Sequence, residues 1–429
     1  MKLTNRMLAA VIALVACGLA SCSREARPAT PQQCDLRSEK GGTPAKPAPA
    51  AASQPKAAVN PTATAGPKAA PAATQPIATT TTKPRRGFAK AEMTRPARFP
   101  HRIWAACDFE AKPIDYGMFG KGETKNLPAY PGNATARAGT PYQTSAAMAG
   151  INPVPGPCMG KVNQLYCRYY LKGADQARFQ HFSLTSSDNW HINVSGLTQG
   201  QWSELTLNFQ ENARRNNGSD SPFKEGERMD DLKVFVGNKD DGQTCELVLD
   251  DIIFFATDPA LPEETEPFPH RVMYTAGFDT GIESKGPEKS KFFPGEYQAE
   301  AKGPGGSYWT VLKAVSVQGK GQHVLLKLDP PRPAAAANKL RFRYLARGGQ
   351  PIQAVLHNAT QNKDHAASVA SPAQDKWAWQ YVSFQGLAAG DLIDSIEWSI
   401  PAAMLTAQRT PGQDGELYID EVTLFEPGR

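Results

Sequence analysis

The chain has 429 residues, 40% of them hydrophobic, and a formal net charge of +5 at neutral pH. This length leaves room for two folded domains after an unfolded segment. Much of the positive charge lies in the first 95 residues, where it would suit an anionic lipid or polysaccharide surface, although solvation alone accounts for it equally well.

The N-terminus has the composition of a secretory signal. Lys2 and Arg6 are basic, residues 7–19 are apolar, and Leu19-Ala20-Ser21-Cys22 follows. The apolar stretch is too short to span a bilayer stably. We therefore expect residues 1–21 to be a signal peptide and the protein to be exported, which argues against nucleic acid as a partner.

The Leu-Ala-Ser-Cys sequence at residues 19–22 resembles the lipobox of bacterial lipoproteins. The resemblance implies cleavage before Cys22, a diacylglycerol on its sulfur and acylation of the new N-terminus. Several acyl chains anchor a protein far more firmly than one. Ser23 stands where an Asp would retain the protein in the inner membrane, so the resemblance favours the outer membrane, on its periplasmic or cell-surface face.

Residues 22–95 consist mainly of Ala, Pro, Thr, Gln and Lys. Such a segment cannot bury enough apolar surface to offset its ordering entropy. Pro spaced among Ala and Thr favours extended, solvated backbone. We expect a disordered, semi-rigid tether.

The remaining chain repeats itself. Residues 99–103, Phe-Pro-His-Arg-Ile, recur as Phe-Pro-His-Arg-Val at 268–272, and Leu-Tyr-Cys-Arg-Tyr at 165–169 recurs as Leu-Arg-Phe-Arg-Tyr at 340–344. The spacing drifts from 169 to 177 residues and returns to 170 at the ends, as loops do between two copies of one fold. The sequence predicts a first repeat at 96–259 and a second at 265–429.

Each repeat has the pattern of a β-protein. Apolar residues alternate along 165–171 and 340–344, and short apolar runs are separated by Gly, Pro, Asn and Asp. We predict an all-β fold of two tandem antiparallel sandwiches of jelly-roll type. The first strand, the Trp that opens a middle strand and the final Leu-Val-Leu-Asp-Asp-Ile together resemble galactose-binding-like jelly rolls, which include many carbohydrate-binding modules. The resemblance specifies the fold better than the ligand.

The last strand of each repeat carries adjacent acidic residues in an apolar setting. First and last strands are neighbours in this fold, so Glu110 can approach Asp250, and Asp279 can approach Asp420. The family resemblance implies a structural calcium at these carboxylates. An Arg pair, or an edge position facing water, is the alternative. No other cofactor is required.

Four cysteines lie in the first repeat: Cys107, Cys158, Cys167 and Cys245. In an oxidising compartment they are candidates for two disulfides with three possible connectivities. Alternatively, Cys167 is a small buried apolar residue on the core face.

Aromatic residues in polar surroundings are candidates for stacking against sugar rings. The candidate ligand-binding residues are Trp190, His191, Tyr308, Trp309 and Trp377. The alternative for Trp190, Trp309 and Trp377 is a place in the sandwich core. We expect Trp202, Trp379 and Trp398 to be core residues. We expect Arg168 and Arg343 to face water, and the alternative is that they line a concave ligand surface.

A catalytic function of the polysaccharide-lyase type would need Tyr, His and Arg in one site. Arg168, Tyr169, His181 and His191 supply these residue types, but strand alternation places Arg168 and Tyr169 on opposite faces. No nucleophile triad, phosphate loop or metal-hydrolase motif is evident. We therefore predict a non-catalytic, lipid-anchored protein that binds polysaccharide, and the alternative is a scaffold that binds another envelope protein.

Overall fold

The computed structural model describes residues 88–90, 93–111, 117–119, 123–125, 134–153, 156–219, 223–278, 296–299, 310–317, 321–348, 350–400 and 415–428. The predicted signal, Cys22 and most of the predicted tether lie outside these ranges. Within them, no helix has the length and hydropathy needed to cross a bilayer. Residues 79–429 form one compact unit.

The described part of the first repeat, with one strand before it, contains two sheets and little helix. The strands are β1 Phe88–Lys90, β2 Arg102–Cys107, β3 Gly117–Phe119, β4 Glu123–Lys125, β5 Thr135–Ala138, β6 Thr140–Tyr142, β7 Ser145–Asn152, β8 Val162–Lys172, β9 Gln176–Ser183, β10 Asp188–Ser195, β11 Trp202–Asn208, β12 Arg214–Arg215, β13 Met229–Val236 and β14 Glu246–Thr257. Helix α1 spans Phe209–Asn212, and a 3-10 turn spans Lys239–Asp241.

The second repeat has the same architecture in its described residues. Its strands are β15 Arg271–Ala276, β16 Glu296–Ala299, β17 Thr310–Lys313, β18 Val315–Val317, β19 Gly321–Pro333, β20 Asn338–Arg347, β21 Ile352–Asn358, β22 Lys363–Val369, β23 Trp377–Phe384, β24 Leu392–Ile400 and β25 Glu416–Glu426.

The strand order of the second repeat reproduces that of the first. One sheet runs β11-β8-β14-β5-β4 with β2 on β14, and its counterpart runs β23-β20-β25-β17-β16 with β15 on β25. The facing sheet contains β10-β9-β13-β7, matched by β22-β21-β24-β19. Apart from β1, which joins β10 in parallel, the pairs are antiparallel. The predicted all-β class with two tandem sandwiches is confirmed.

Backbone strain recurs at the same places in both repeats. Non-glycine residues with positive φ include Phe109 (57°) and Phe278 (56°), where the first strand ends, and Asp251 (44°) and Glu421 (48°) in the last strand. Residues other than Gly rarely adopt this region. A strained conformation kept at equivalent positions supports an origin of both halves in one duplicated unit.

Each sandwich has its own core between its two sheets. In β8, Leu165, Cys167, Tyr169 and Leu171 are buried toward the facing sheet, as the alternation predicts. Trp398 is fully buried in the second core. Burial of such side chains contributes about 1.5–3 kcal/mol each.

The two Phe-Pro-His-Arg segments cross between the repeats. Phe99, which lies just before strand β2 of the first repeat, packs against Phe425 and Tyr381 of the second, with ring centroids 4.8 and 5.8 Å apart. Phe268, which lies just before strand β15 of the second repeat, packs against Tyr166 of the first at 5.0 Å. The segments also bond to each other, since Phe99 N donates to the Glu266 carbonyl at 2.8 Å.

Charged residues complete this exchange. Arg102 Nε lies 2.8 Å from Glu421 Oε1, and Arg271 Nε lies 3.6 Å from Asp108 Oδ2, so each motif arginine reaches an acid of the other repeat. Phe268 and Phe425 belong to the same apolar cluster as the first core. The repeats are therefore two sandwiches joined by a continuous apolar and ionic interface.

Candidate functional site

The acidic residues of the last strands are bound by arginines of the protein itself. Arg168 Nη1 lies 3.1 Å from Asp250 Oδ2 and 2.9 Å from Asp251 Oδ2, and all three side chains are buried. In the second repeat, Arg343 Nη1 lies 3.2 Å from Asp420 Oδ2. The expectation that Arg168 and Arg343 face water is wrong. Arg168 neutralises two buried carboxylates of its own repeat, and Arg343 neutralises one.

A β-bulge explains why both acids of the first repeat reach one arginine. Simple alternation would place Asp250 and Asp251 on opposite faces. The pairing of β14 with β8 shifts between Asp250 and Ile253, and Asp251 has a positive φ of 44°. A bulge sets two residues opposite one partner, so the alternation is interrupted there.

Calcium does not fit the carboxylates of the first repeat. Asp250 already accepts from Arg168 and from the Asp251 N–H at 2.9 Å. Glu110 accepts instead from the N–H groups of Ala134 and Thr135, at 2.6 and 2.8 Å. Among the residues that the structure describes, no group of three or more His, Cys, Asp or Glu could hold a metal ion. For the described residues of the first repeat, these contacts support the arginine alternative, and the calcium site stays a prediction.

The calcium prediction for the second repeat has only one described member. Asp279 lies outside the described residues, while Asp420 accepts from Arg343 and from the Glu421 N–H at 2.8 Å. A hard cation would have to displace this arginine.

The prediction of two disulfides is wrong for Cys167 and Cys245, which are thiols. Cys167 is buried in the first core, as its alternative interpretation held, and burial raises the pKa of its thiol to about 12. The Cys245 thiol donates to the Gly173 carbonyl at 3.5 Å. Cys107 lies in β2, and Cys158 lies opposite Arg228 in an isolated β-bridge.

Trp190 is a core residue, so its prediction as a sugar-stacking platform is wrong. Its side chain is 0% exposed. Phe223 lies 4.5 Å from its ring, the His181 ring stacks on it at 5.9 Å, and the Arg215 guanidinium lies 4.5 Å from its centroid. No face of the indole remains open to a ligand.

His191 follows Trp190 in β10 and points to the other side of the sheet. It is partly buried, and it shares this side with Asn189 and Asn193, because Trp190, Ile192 and Val194 are buried. Burial lowers the pKa of His191, and the positive charges of Arg178 and Arg214 lower it further. His191 is therefore neutral near pH 7.

The outer face of β10, β9 and β13 forms a long concave surface, which we call the polar groove. Two cavities of about 780 and 510 Å³ lie along it, and Arg178 and Phe235 line both. Its side chains are mainly amides, charged groups and aromatic rings. The groove comprises Tyr142, Arg178, Gln180, Phe182, Asn189, Asn193, Asp231, Lys233 and Phe235.

Strand register brings the groove residues together. Arg178 pairs with Asn193 of β10 and with Phe235 of β13, and Gln180 pairs with Lys233. Lys233 forms an ion pair with Asp231. Tyr142 is 40% exposed, and its ring lies 6.4 Å from that of Phe235. Exposed rings beside hydrogen-bonding side chains can contact both the faces and the hydroxyls of a sugar.

The sequence interpretation did not identify these residues, although the sequence contains a pattern that indicates them. In β9, Arg178, Gln180 and Phe182 alternate with buried Phe179 and His181. Such a pattern predicts a half-buried strand and identifies its outward residues. It does not show that the outward face is concave, because the concavity depends on neighbouring strands and loops.

The equivalent face of the second repeat has different chemistry. At positions 175 residues later, Gln353 replaces Arg178, Val355 replaces Gln180 and His357 replaces Phe182. His357 Nδ1 lies 2.7 Å from Asp394 Oδ1. In the described part of this face, the aromatic and amide residues of the polar groove have no counterparts in β21.

Trp377 lines a separate cavity of about 440 Å³ between the repeats, the inter-repeat slot. Trp377 and Trp379 are partly buried on the outer face of β23, with the guanidinium groups of Arg343 and Arg341 at 4.2 and 3.4 Å from their ring centroids. The interpretation of Trp377 as a ligand-binding residue stays a prediction. Tyr308 and Trp309 lie outside the described residues.

We predicted that three other tryptophans are core residues, and this prediction is confirmed for one of them. Trp398 is fully buried in the second core. Trp202 and Trp379 are not core residues: each lies on the outer side of its sheet, where Trp202 contacts Tyr170 and the Arg168 guanidinium. Sequence alone does not distinguish the two sides of a strand when both are covered.

The residues considered for a lyase site are not assembled into one. Arg168 is bound to Asp250 and Asp251, Tyr169 lies on the core side of β8, and His181 is fully buried. Burial lowers the pKa of His181 to about 3. Of these four residues, only His191 faces the side of its sheet on which the polar groove lies.

No family profile and no curated protein matches the chain. Among solved structures, the tandem modules CBM22-1 and CBM22-2 of Paenibacillus barcinonensis Xyn10C share 14% identity with it, over 77% of this chain and 100% of theirs, at a TM-score of 0.27. The xylan-binding CBM22-2 domain alone also shares 14% identity, over 36% of this chain and 99% of its own, at 0.26. A Paenibacillus xanthan lyase shares 12%, over 78% of this chain and 27% of its own, at 0.22.

Proposed function

We propose that this protein is a non-catalytic polysaccharide-binding lipoprotein and that the polar groove of the first repeat is its binding site. The observation that supports this is the elongated row of two cavities sharing Arg178 and Phe235. A groove open along its length suits a chain of sugar units better than a compact molecule.

The side chains of the groove suit sugar recognition. Asn189, Asn193 and Gln180 offer amide donors and acceptors for hydroxyl groups, and Phe235 and Tyr142 offer apolar faces. Binding sites need a few placed polar groups beside apolar surface. Because the groove is open and wet, we expect weak binding for each contact.

The proposed setting is the bacterial envelope. Lipid on Cys22 would hold the protein at the outer membrane, and residues 22–87 would separate the sandwiches from that surface, because residues 88–90 already form strand β1 on the first repeat. A tether of about 65 residues spans roughly 45 Å as a flexible coil. We propose that the tether lets the groove reach a polysaccharide beyond the lipid headgroups.

The experiment is a retention assay of the full-length protein on an array of bacterial and plant polysaccharides. Asn193→Ala and Phe235→Ala should each weaken retention about tenfold, consistent with hydrogen bonds and ring contacts of about 1–2 kcal/mol. Ser368→Ala is the matched control, because Ser368 lies at the position in β22 that corresponds to Asn193 in β10.

The outcomes separate glycan binding from the scaffold alternative. Retention that is reduced by both groove variants and unchanged by Ser368→Ala supports the proposal. If the folded wild-type protein retains no polysaccharide, glycan binding is wrong and an envelope protein becomes the better partner. Circular dichroism of each variant establishes that the fold is intact.

A further inference from the structure

We propose that the bound polysaccharide is acidic and that Arg178 binds the carboxylate of a uronic acid unit. This inference rests on the proposed function of the polar groove and identifies the class of sugar that it takes. It follows from the position of Arg178 and from the absence of an ion-paired carboxylate beside it among the residues that the structure describes.

Arg178 lies at the junction of the two cavities. It occupies the middle of the outer face, between Asn193 on one neighbouring strand and Phe235 on the other. Its Nη2 donates to Asn216 Oδ1 at 2.7 Å. This single contact orients the guanidinium at the floor of the groove and leaves further N–H groups for a ligand.

No carboxylate of the described residues forms an ion pair with Arg178. Its one hydrogen bond goes to an amide, and its Nε has no partner among these residues. Burial lowers the pKa of the guanidinium, and no negative charge opposes this change. A partly buried cation without a counter-ion carries an uncompensated desolvation cost.

Two other arginines of the structure have acids beside them. Arg215, in β12, lies 3.0 Å from Asp188 Oδ2. Arg341, in β20, lies 2.7 Å from Glu264 Oε1. In these two cases the protein supplies the carboxylate, and at Arg178 a ligand carboxylate would take that place.

A second positive charge reinforces the site. Arg214 pairs with His191 across β12 and β10, and its Nη2 donates to the Gly218 carbonyl at 3.3 Å. Both Arg178 and Arg214 act on His191, whose pKa their charges lower. The two guanidinium groups favour an anion at this end of the groove, and Asp188, which also acts on His191, opposes them.

The carboxylates of the groove oppose this field mainly in the larger cavity. Asp231 is bound to Lys233, and Asp175 and Asp241 are exposed residues that line only the larger cavity. A carboxylate matches the planar fork of a guanidinium, which can donate two parallel hydrogen bonds to it. The expected ligand is therefore a polyuronate, with one carboxylate at Arg178 and neutral hydroxyls along the remaining groove.

The test uses full-length protein with polygalacturonate and alginate, each compared with its carboxyl-reduced, neutral form. Wild-type protein should bind at least one polyuronate about tenfold more tightly than the reduced form, the worth of one charge-assisted contact. Added salt should weaken the polyuronate complex and leave the neutral one unchanged.

Three variants locate the effect. Arg178→Gln installs the residue that the second repeat carries at Gln353, and it should abolish the preference for the charged form. Lys327→Gln removes one positive charge from an exposed position in β19 and should preserve the preference. Arg178→Lys keeps the charge without the planar fork and should retain part of it.

The outcomes distinguish this inference from the function on which it rests. If the neutral forms bind as tightly as the polyuronates, polysaccharide binding stands and the uronate inference is wrong. If the preference survives Arg178→Gln, the carboxylate binds elsewhere and the assignment to Arg178 is wrong. If neither the polyuronates nor their reduced forms bind, this inference is wrong, and the polysaccharide array decides separately whether the proposed function stands.

Discussion

Arg95 and Glu264 occupy equivalent positions, 169 residues apart, and carry opposite charges in mirror-image networks. Arg95 Nη2 donates to the Tyr166 hydroxyl at 2.7 Å and to Glu204 Oε1 at 2.9 Å. In the first repeat, the acidic residue Glu204 therefore lies on the sheet, and the basic residue Arg95 lies on the segment that precedes the repeat.

The second repeat inverts this arrangement. Glu264 accepts from Arg341 Nη2 at 2.7 Å and from the Tyr381 hydroxyl at 3.1 Å. Arg341 and Tyr381 correspond to Tyr166 and Glu204 of the first repeat. Each segment thus carries the charge opposite to that of its own sheet. If the two segments exchanged places, Arg95 would lie beside Arg341. We infer that the inversion makes each segment select its own side of the quasi-symmetric interface.

Reversing one charge should destabilise the protein, and reversing both partners should restore it. Arg95→Glu places two acids together at a partly buried site and should lower the free energy of unfolding by about 1–2 kcal/mol. Adding Glu204→Arg should recover most of that loss. Denaturant unfolding of wild type, both single variants and the double variant measures the coupling. Additive effects of the single changes would contradict the proposed pairing.

The exchanged phenylalanines should couple the repeats thermodynamically. Phe99→Ala and Phe268→Ala each remove a buried ring at the interface and should cost about 3–5 kcal/mol. The sequence predicted two tandem sandwiches, and their shared interface leads us to expect a single transition in wild type. Calorimetry measures this, with Tyr142→Ala as an exposed aromatic control. Two resolved transitions in wild type would contradict the coupling.

Acidification should destabilise the protein through His181. Its pKa is about 3 in the folded state because of burial, against an ordinary value of 6.5, so the unfolded chain binds the proton first. The stability that His181 contributes is present above pH 6.5 and is lost as the pH falls toward 3. At pH 5 the loss is about 2 kcal/mol.

His181→Leu tests this, because Leu356 holds the corresponding place in the second repeat. The variant should lose about 2 kcal/mol less than wild type between pH 8 and pH 5 in denaturant unfolding. Asp108, whose pKa burial raises to about 7, acts in the opposite sense, so the difference between variant and wild type is the quantity to compare. Equal pH dependence in the two proteins would exclude His181 as the source.

The cysteines should differ in reactivity. The Cys167 thiol is buried and its pKa is raised to about 12, so little thiolate forms at neutral pH, whereas Cys245 is partly exposed. Iodoacetamide should modify Cys245 in the native protein and Cys167 only after unfolding. Peptide mass spectrometry resolves the two sites. Equal labelling rates in the native state would contradict the burial of Cys167.

Membrane attachment should depend on Cys22. Cys22→Ala removes the sulfur that the predicted lipidation requires, so the protein should leave the detergent-extracted membrane fraction. Ser23→Ala retains the cysteine and is the control. Fractionation and intact-mass measurement report the result, and unchanged membrane partition of Cys22→Ala with normal signal cleavage would overturn the lipoprotein prediction.

The local sequence pattern was sufficient to predict the fold class. Alternation of Leu165, Cys167, Tyr169 and Leu171 identified a strand and its core side, because side chains in a strand point alternately to opposite faces. The recurrence of Phe-Pro-His-Arg at 99–102 and 268–271 predicted two copies of one fold. Both features depend only on near neighbours and on comparison within the chain.

The site and the interface depended on contacts between residues distant in sequence. Alternation could not foresee the bulge at Asp251, which turns both acids toward Arg168, since a bulge is a property of two paired strands. Trp190 and His191 are adjacent in sequence, yet one is fully buried and the other faces outward, and only the packed sheets show which. In the same way, Arg178 is recognisable as a cation with no ion-paired carboxylate in the described part of the chain only after the fold has shown which acidic residues lie near it.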